Sequence, residues 1–237
     1  MAAARNATDD AGVRWFPFAT SAALREDAQR RVVEAARDAI AERDRFIIVL
    51  AGGNTPRALY EVLRDAQTDW SRWHIYFGDE RCVASDDPDR NSVMATNAWL
   101  DHVPIPSSQR HPIPAELGAE AAARHYAREL ENIAEFDLVL LGLGEDGHVA
   151  SLFPVEAEDR DDSAADVIAV FHAPKPPPER VSLTAARLSR THAVLFLIEG
   201  LSKRDAVRRW RAGKDIPASG IRPPSGVDVL LSADLLA

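Results

Sequence analysis

Basic charge, cysteine and long apolar runs are all scarce in this sequence. Its 237 residues carry 28 Lys and Arg against 37 Asp and Glu, a net charge of −9. Contact with a phosphate backbone needs clustered cations on one face, so no nucleic-acid partner is expected. A single cysteine, Cys82, excludes an internal disulfide and a cysteine-built metal site. His74, His102, His111, His125, His172 and His192 fall at no metal-ligand spacing, so neither metal nor other cofactor is expected. The longest apolar runs, "FIIVLA" at 46–51 and "AVLFLI" at 193–198, are strand-sized. They fall far short of the roughly 20 residues that cross a bilayer, and no membrane association is expected. "MAAARNATDDAGVRW" at the N-terminus has no apolar segment of the secretory kind. Residues 1–14 therefore read as a disordered leader to a single domain over 15–237, expected to be a cytoplasmic monomer. No Gly-x-Ser-x-Gly elbow occurs, which leaves a serine-esterase mechanism without a nucleophile. Cys82 stands beside Arg81 but pairs with no base and reads as incidental.

What the sequence has is alternation. "SAALREDAQRRVVEAARDAIAER" (21–43) repeats apolar residues at helical spacing behind a candidate cap, Ser21. "RFIIVLA" (45–51) reads as a buried strand, and "GGNTPRALYEVLRDA" as a glycine turn entering a helix with Pro56 near its start. "WHIYFGDER" (73–81) reads as one strand ending in charge, and "FDLVLLG" (136–142) as a short apolar strand. "DVIAVFH" (166–172), "RVSLT" (180–184), "HAVLFLIEG" (192–200) and "VDVLLS" supply further strands, with helices between. Apolar strands alternating with amphipathic helices imply an α/β fold with a mostly parallel sheet covered on both faces. "EAEDRDDSAAD" (156–166) reads as a solvated loop, with a mobile lid as the sharper alternative. "PKPPPE" (174–179) reads as a stiff connector.

Polar and glycine residues collect just after several of these strands, where ligands bind in such sheets. Gly52-Gly53-Asn54-Thr55 offers backbone N–H groups at a helix start, an anion cradle, or else an ordinary glycine turn with Thr55 as N-cap. Lys203 and Arg180 are candidate cations for that cradle. Residues 138–154, "LVLLGLGEDGHVASLFP", combine Gly142-x-Gly144-x-x-Gly147 with Glu145, Asp146 and His148. The glycine spacing is that of a dinucleotide site, but Pro154 interrupts the helix such a site needs, and the two carboxylates oppose a pyrophosphate. The remaining readings are a tight structural turn and acid/base chemistry by His148, whose ordinary pKa near 6.5 suits proton transfer at neutral pH.

"LAGGNTPRALYEVL", "YFGDERCVASDDPDRNS", "LVLLGLGEDGHVASLFP", "PPERVSLT" and "EGLSKRDAV" resemble, in order and over roughly 15–232, the family of 6-phosphogluconolactonase and glucosamine-6-phosphate isomerase/deaminase. The resemblance implies a three-layer α/β/α sandwich of modified Rossmann type that holds no nucleotide. It implies a small sugar-phosphate lactone as substrate and hydrolysis of 6-phospho-D-glucono-1,5-lactone in the oxidative pentose phosphate pathway. The family's base falls on His148, with Asp146 either orienting the imidazole or holding a sugar hydroxyl. Its substrate contacts fall on Gly52, Gly53, Asn54, Thr55, Asp79, Arg81, Gly144, Arg180 and Lys203. Relatives often carry Ser where Asn54 stands. Glycine N–H groups of the 142–148 loop, or Arg81, are the candidates to face an oxyanion. The isomerase branch is similar to "DGHxAxNEP", with an acid before the proline that assists ring opening. Phe153 stands there in this chain, which points to the lactonase branch.

Overall fold

The computed structural model describes residues 12–154 and 165–237. The leader up to residue 11 and most of the 156–166 stretch, read above as a solvated loop or lid, lie outside them. Six strands form one all-parallel sheet in the order β1-β9-β8-β5-β2-β3: β1 Val13–Phe18, β9 Val227–Ser232, β8 Val194–Ile198, β5 Leu138–Leu141, β2 Phe46–Leu50 and β3 Trp73–Phe77. The central runs are apolar throughout because they are covered twice; every residue of β2, β5 and β8 is buried.

Register identifies which helices cover which face, since partners across parallel strands point the same way. Trp15, Val229 and Phe196 are aligned neighbours, and Trp210 of α6 (Arg204–Arg211) packs edge-on against Trp15 and Phe196. Tyr76 shares that face through Val49 and Val139, and meets Tyr126 of α4 (Ala119–Leu130). The opposite face carries Phe16 and Asp228, which engage Arg31 of α1 (Ser21–Arg43). Trp73 lies there too, edge-on to Trp99, which in turn stacks on Tyr60 of α2 (Asn54–Leu63). Helices thus clothe both faces, the three-layer α/β/α arrangement expected.

Several expectations are corrected. Val13 and Arg14, assigned to the leader, open β1 and pair with Val227 and Asp228; burial of Val13 and Trp15, with an Arg14–Asp228 ion pair at 2.5 Å, holds them there. Pro17 is tolerated because β1 is an edge strand. The cap of α1 is Thr20, whose hydroxyl accepts from the Ala23 N–H, not Ser21. Residues 73–81 are not one strand. The chain leaves the large sheet at Gly78, and Asp79–Arg81 (β4) joins a separate antiparallel sheet with Arg180–Leu183 (β7) and Val167–Val170 (β6).

Two tyrosines finish the strands where this happens. The Tyr60 hydroxyl accepts from the Ala51 N–H (3.0 Å) and donates to the Ala51 carbonyl (2.8 Å), closing the backbone just past β2. The Tyr126 hydroxyl does the same for Phe77 at the end of β3, at 2.9 and 3.2 Å. Burial drives both phenols well above their ordinary pKa, so they remain neutral donor–acceptors. Tyr60→Phe leaves a buried N–H and C=O of Ala51 without partners. It is expected to cost about 1–3 kcal/mol and lower Tm by a few degrees. A thermal melt coincident with the unsubstituted chain would contradict this role.

Candidate active site

A cleft of about 300 Å³ opens beyond the carboxyl ends of β2, β3, β5 and β8, where loops of an open parallel sheet meet. Its walls include Gly52 and Gly53 after β2, Asp79 and Arg81 on β4, Gly144 and His148 after β5, and Arg180 and Lys203. Most of the sequence-predicted site residues therefore come together.

The turn after β5 is closed on itself. The Gly144 N–H donates to the His148 carbonyl at 2.8 Å, and the Gly147 N–H to the Gly144 carbonyl at 3.1 Å. Both N–H groups are thereby committed, which removes them from the candidates for an oxyanion. Gly147 has φ +97, and a Cβ there would lie 3.0 Å from Ile216, so glycine is required twice over. Asp146 accepts at one oxygen, Oδ1, from the His148 N–H (3.1 Å) and meets ring Nδ1 at 2.6 Å. An ionised carboxylate only accepts, so Nδ1 carries the hydrogen and Nε2 presents its lone pair. Of the two roles left open for Asp146, this geometry supplies the first: it orients the imidazole.

Burial pushes the His148 pKa below its ordinary value, more than the Asp146 bond restores, so the ring is neutral at pH 7. Burial works against the Asp146 charge, but the His148 N–H and ring outweigh it and hold that carboxyl below the usual range. The ring of Phe153 stands 4.7 Å from that of His148. Gly144 lies flat beneath the imidazole; a Cβ there would sit 2.0 Å from Nδ1.

Across the cleft, Asp79 is buried and both its oxygens are engaged, Oδ1 by Asn91 Nδ2 (3.0 Å) and Oδ2 by the Ser151 hydroxyl (2.6 Å). Gly52 makes room for Asn91, whose Oδ1 would be 2.0 Å from a Cβ. Glu80 is fully buried and takes the N–H groups of Arg81, Asn91 and Ser92 at 2.7–2.9 Å, tying β4 to α3 (Asn91–Ala98). Arg81 reaches back to the Asp89 carbonyl. Arg180 is buried and its pKa lies below the ordinary guanidinium value, chiefly through burial. Lys203 is likewise lowered by burial, against the pull of Glu145.

Two of the predicted contacts stand apart from the cleft. Asn54 is exposed, Thr55 is half-buried, and neither lines the cleft; the N-cap of α2 is Gly53 at φ +102, not Thr55. Burial, reinforced by Glu179, pushes the Cys82 thiol up to about 11, which makes it a poor nucleophile despite Arg81 next to it. Asn91, Ser151 and Lys175 were missed. Asn91 and Ser151 lay inside quoted motifs, but a contact such as Ser151–Asp79 spans 72 residues and leaves no local signature. Lys175 lay in the supposed connector and lines the cleft. Among the described residues no group of three or more His, Cys, Asp or Glu is placed to hold a metal, and no helix is long and apolar enough to cross a membrane.

The sequence profile described as glucosamine-6-phosphate isomerases/6-phosphogluconolactonase matches residues 19–230. The chain belongs to that family. A 6-phosphogluconolactonase from Mycobacterium leprae is 40% identical over 220 residues, covering 86% of this chain and 89% of the relative. One from Synechocystis is 42% identical over 182 residues, covering 71% and 72%. The crystal structure of 6-phosphogluconolactonase from Thermotoga maritima superimposes with a TM-score of 0.83 at 28% identity, covering 93% of this chain and 98% of that one.

The glycines of the family's turn yield a paired test. Gly144→Ala drives the His148 ring off Asp146 and, on the base role proposed below for His148, is expected to lower kcat roughly 100-fold. Gly142→Ala meets nothing within 4 Å and is expected to leave kcat within a few-fold. Equal tolerance of both, measured by steady-state kinetics on folded protein, would contradict the packing described.

Proposed function

We propose that this chain hydrolyses 6-phospho-D-glucono-1,5-lactone to 6-phosphogluconate, the lactonase step of the oxidative pentose phosphate pathway, with His148 as the base. The observation that carries the reading is the imidazole of His148 in the wall of a cation-lined cleft, held from behind by Asp146 at 2.6 Å, in a chain from this family. Its relatives of about 40% identity bear the lactonase name.

The chemistry follows from the imidazole. A water held against Nε2 gives up a proton as its oxygen bonds to the lactone carbonyl carbon, and the carbonyl π electrons move onto oxygen. Asp146 stabilises the imidazolium that forms. When the tetrahedral centre collapses, the carbon–ring-oxygen bond breaks and the same proton passes from Nε2 to the departing oxygen. Lys203 and Arg180 hold the phosphate, with the N–H groups of Gly52 and Gly53, in the turn that enters α2, as further donors. The ring of Phe153 neither gives nor takes a proton, so glucosamine-phosphate ring opening lacks its second acid. The enzyme works as a cytoplasmic monomer without nucleic acid or membrane, in keeping with its acidity and single cysteine.

The decisive assay generates the lactone in situ and follows its loss against spontaneous hydrolysis. Acceleration at micromolar protein is expected, and its absence would refute the reading. His148→Ala is expected to lower kcat about 100-fold or more. Lys203→Ala is expected chiefly to raise KM, by roughly one to two decades for a lost charge-assisted contact. The base must be neutral to act and its pKa is depressed. Activity should therefore fall only as pH drops below the ordinary imidazole value of 6.5. An acid limb of kcat above pH 7 would contradict the assignment.

A further inference from the structure

We infer that Phe153 is a positioning residue for the base: its phenyl ring keeps the His148 imidazole aimed into the cleft and screens it from water. The inference rests on the proposed function, which gives His148 the proton transfer, and it asks no substrate contact of Phe153.

The chain between the two rings explains why they meet. Val149 and Leu152 form an antiparallel bridge, with the Val149 N–H donating to the Leu152 carbonyl at 3.4 Å and the Leu152 N–H to the Val149 carbonyl at 2.9 Å. Residues 148 and 153 are the next pair outward, where side chains of opposed strands come within reach. The turn is tight enough to put Ala150 at φ +50, in the left-handed region that residues with a Cβ resist. Two long-range bonds hold that shape. The Ser151 hydroxyl donates to Asp79 at 2.6 Å, and the Ser151 N–H to the Ser182 hydroxyl at 3.2 Å. Phe153 is thereby returned to the base, with 4.7 Å between ring centroids and 45° between planes.

One hydrogen bond does not aim an imidazole. With Cβ fixed by the backbone and Nδ1 by Asp146, the ring can still swing about the line joining those atoms, and Nε2 lies off that line. Gly144, where a Cβ would fall 2.0 Å from Nδ1, and the phenyl of Phe153 are the contacts that limit the swing. A displacement of about 1 Å between reacting groups is enough to cost ~100-fold in rate.

The same phenyl meets the Arg180 guanidinium, 5.6 Å from the ring centroid. Arg180 is anchored independently, since Nε and Nη2 donate to the Lys175, Pro176 and Pro177 carbonyls at 3.0–3.2 Å. The other charges that act on the imidazole are Asp146 on its own loop, Asp79 on β4 and Lys175 on the segment before β7, and Arg81 and Lys203 also line the cleft. Replacing Phe153 alters none of these charges. It admits water, which favours the imidazolium and raises a pKa that burial holds down.

Nitrogen-15 NMR of His148 in the unliganded protein, steady-state kinetics and calorimetric titration of 6-phosphogluconate separate the roles. Phe153→Ala is expected to raise the imidazole pKa toward the ordinary value of about 6.5, and to move the acid limb of kcat up with it. It should also lower kcat roughly ten- to hundred-fold. Binding of 6-phosphogluconate should stay within a few-fold, because Arg180 and Lys203 keep their places. Phe153→Tyr retains the ring and should retain both pKa and kcat. Phe153→Leu keeps apolar bulk and serves if the alanine chain does not fold; it should shift both quantities the same way by less. An unchanged pKa and kcat in Phe153→Ala would overturn the inference, as would a loss of product binding as large as the loss of kcat. Should the unsubstituted chain fail to hydrolyse the lactone, the proposed function falls, and the NMR comparison still decides whether Phe153 holds and screens the imidazole.

Discussion

The 2.6 Å contact between Asp146 and His148 is the interaction on which the rest of the site depends. A carboxylate has no hydrogen to give, so its partner nitrogen must carry one, and the other ring nitrogen is left with its lone pair exposed to the cleft. Among the described residues no other hydrogen bond to the ring fixes the tautomer. The surroundings serve this contact. Gly144 has no side chain because the imidazole occupies that space, and Gly147 adopts a φ that other residues resist. Ala218 donates to the Gly147 carbonyl and Arg209 to that of Asp146, so the segment from α6 onward braces the turn from outside.

A chain with a surplus of carboxylates still lines one cleft with four cationic side chains, and local placement outweighs net charge at short range. Placement comes from the sheet. Parallel strands deliver their carboxyl ends to one edge, and the hydroxyls of Tyr60 and Tyr126 terminate two of them by satisfying the last backbone groups. The chain is then free to turn into the cleft as Gly52-Gly53 and to cross into the small sheet as Asp79–Arg81. Glu80, buried beneath that crossing, collects three backbone N–H groups and fixes Arg81 beside Asn91. Burial of these charges is tolerable because each is hydrogen-bonded.

Much of the fold was legible because strands buried on both faces read as uninterrupted apolar runs, as "FIIVL" and "VLFLI" do. Legibility failed where tertiary partners decide. Val13 and Arg14 look like an unstructured leader until Asp228, more than 200 residues away, supplies the ion pair. The 73–81 stretch reads as one strand because periodicity does not record that Gly78 hands the chain to another sheet. At the site, His148 and Asp146 were legible as neighbours in one turn, Lys203 as a cation near a helix start after a strand, and Arg180 as a cation after the proline-rich connector. Asn54 looks like a ligand in sequence because it follows Gly52-Gly53, yet its side chain is exposed while the glycines line the cleft. Lys175 was hidden among prolines, and only the tertiary structure brings it to the cleft.

The central claim is that His148 is held neutral, with hydrogen on Nδ1 and a free Nε2. Nitrogen-15 NMR of the imidazole, titrated from pH 4 to 9 in the unliganded protein, tests it directly. The account predicts a pKa below 6.5 and, above it, an Nδ1–H signal with Nε2 at the shift of an unprotonated nitrogen. A pKa above 7, or a neutral ring protonated at Nε2, would contradict it.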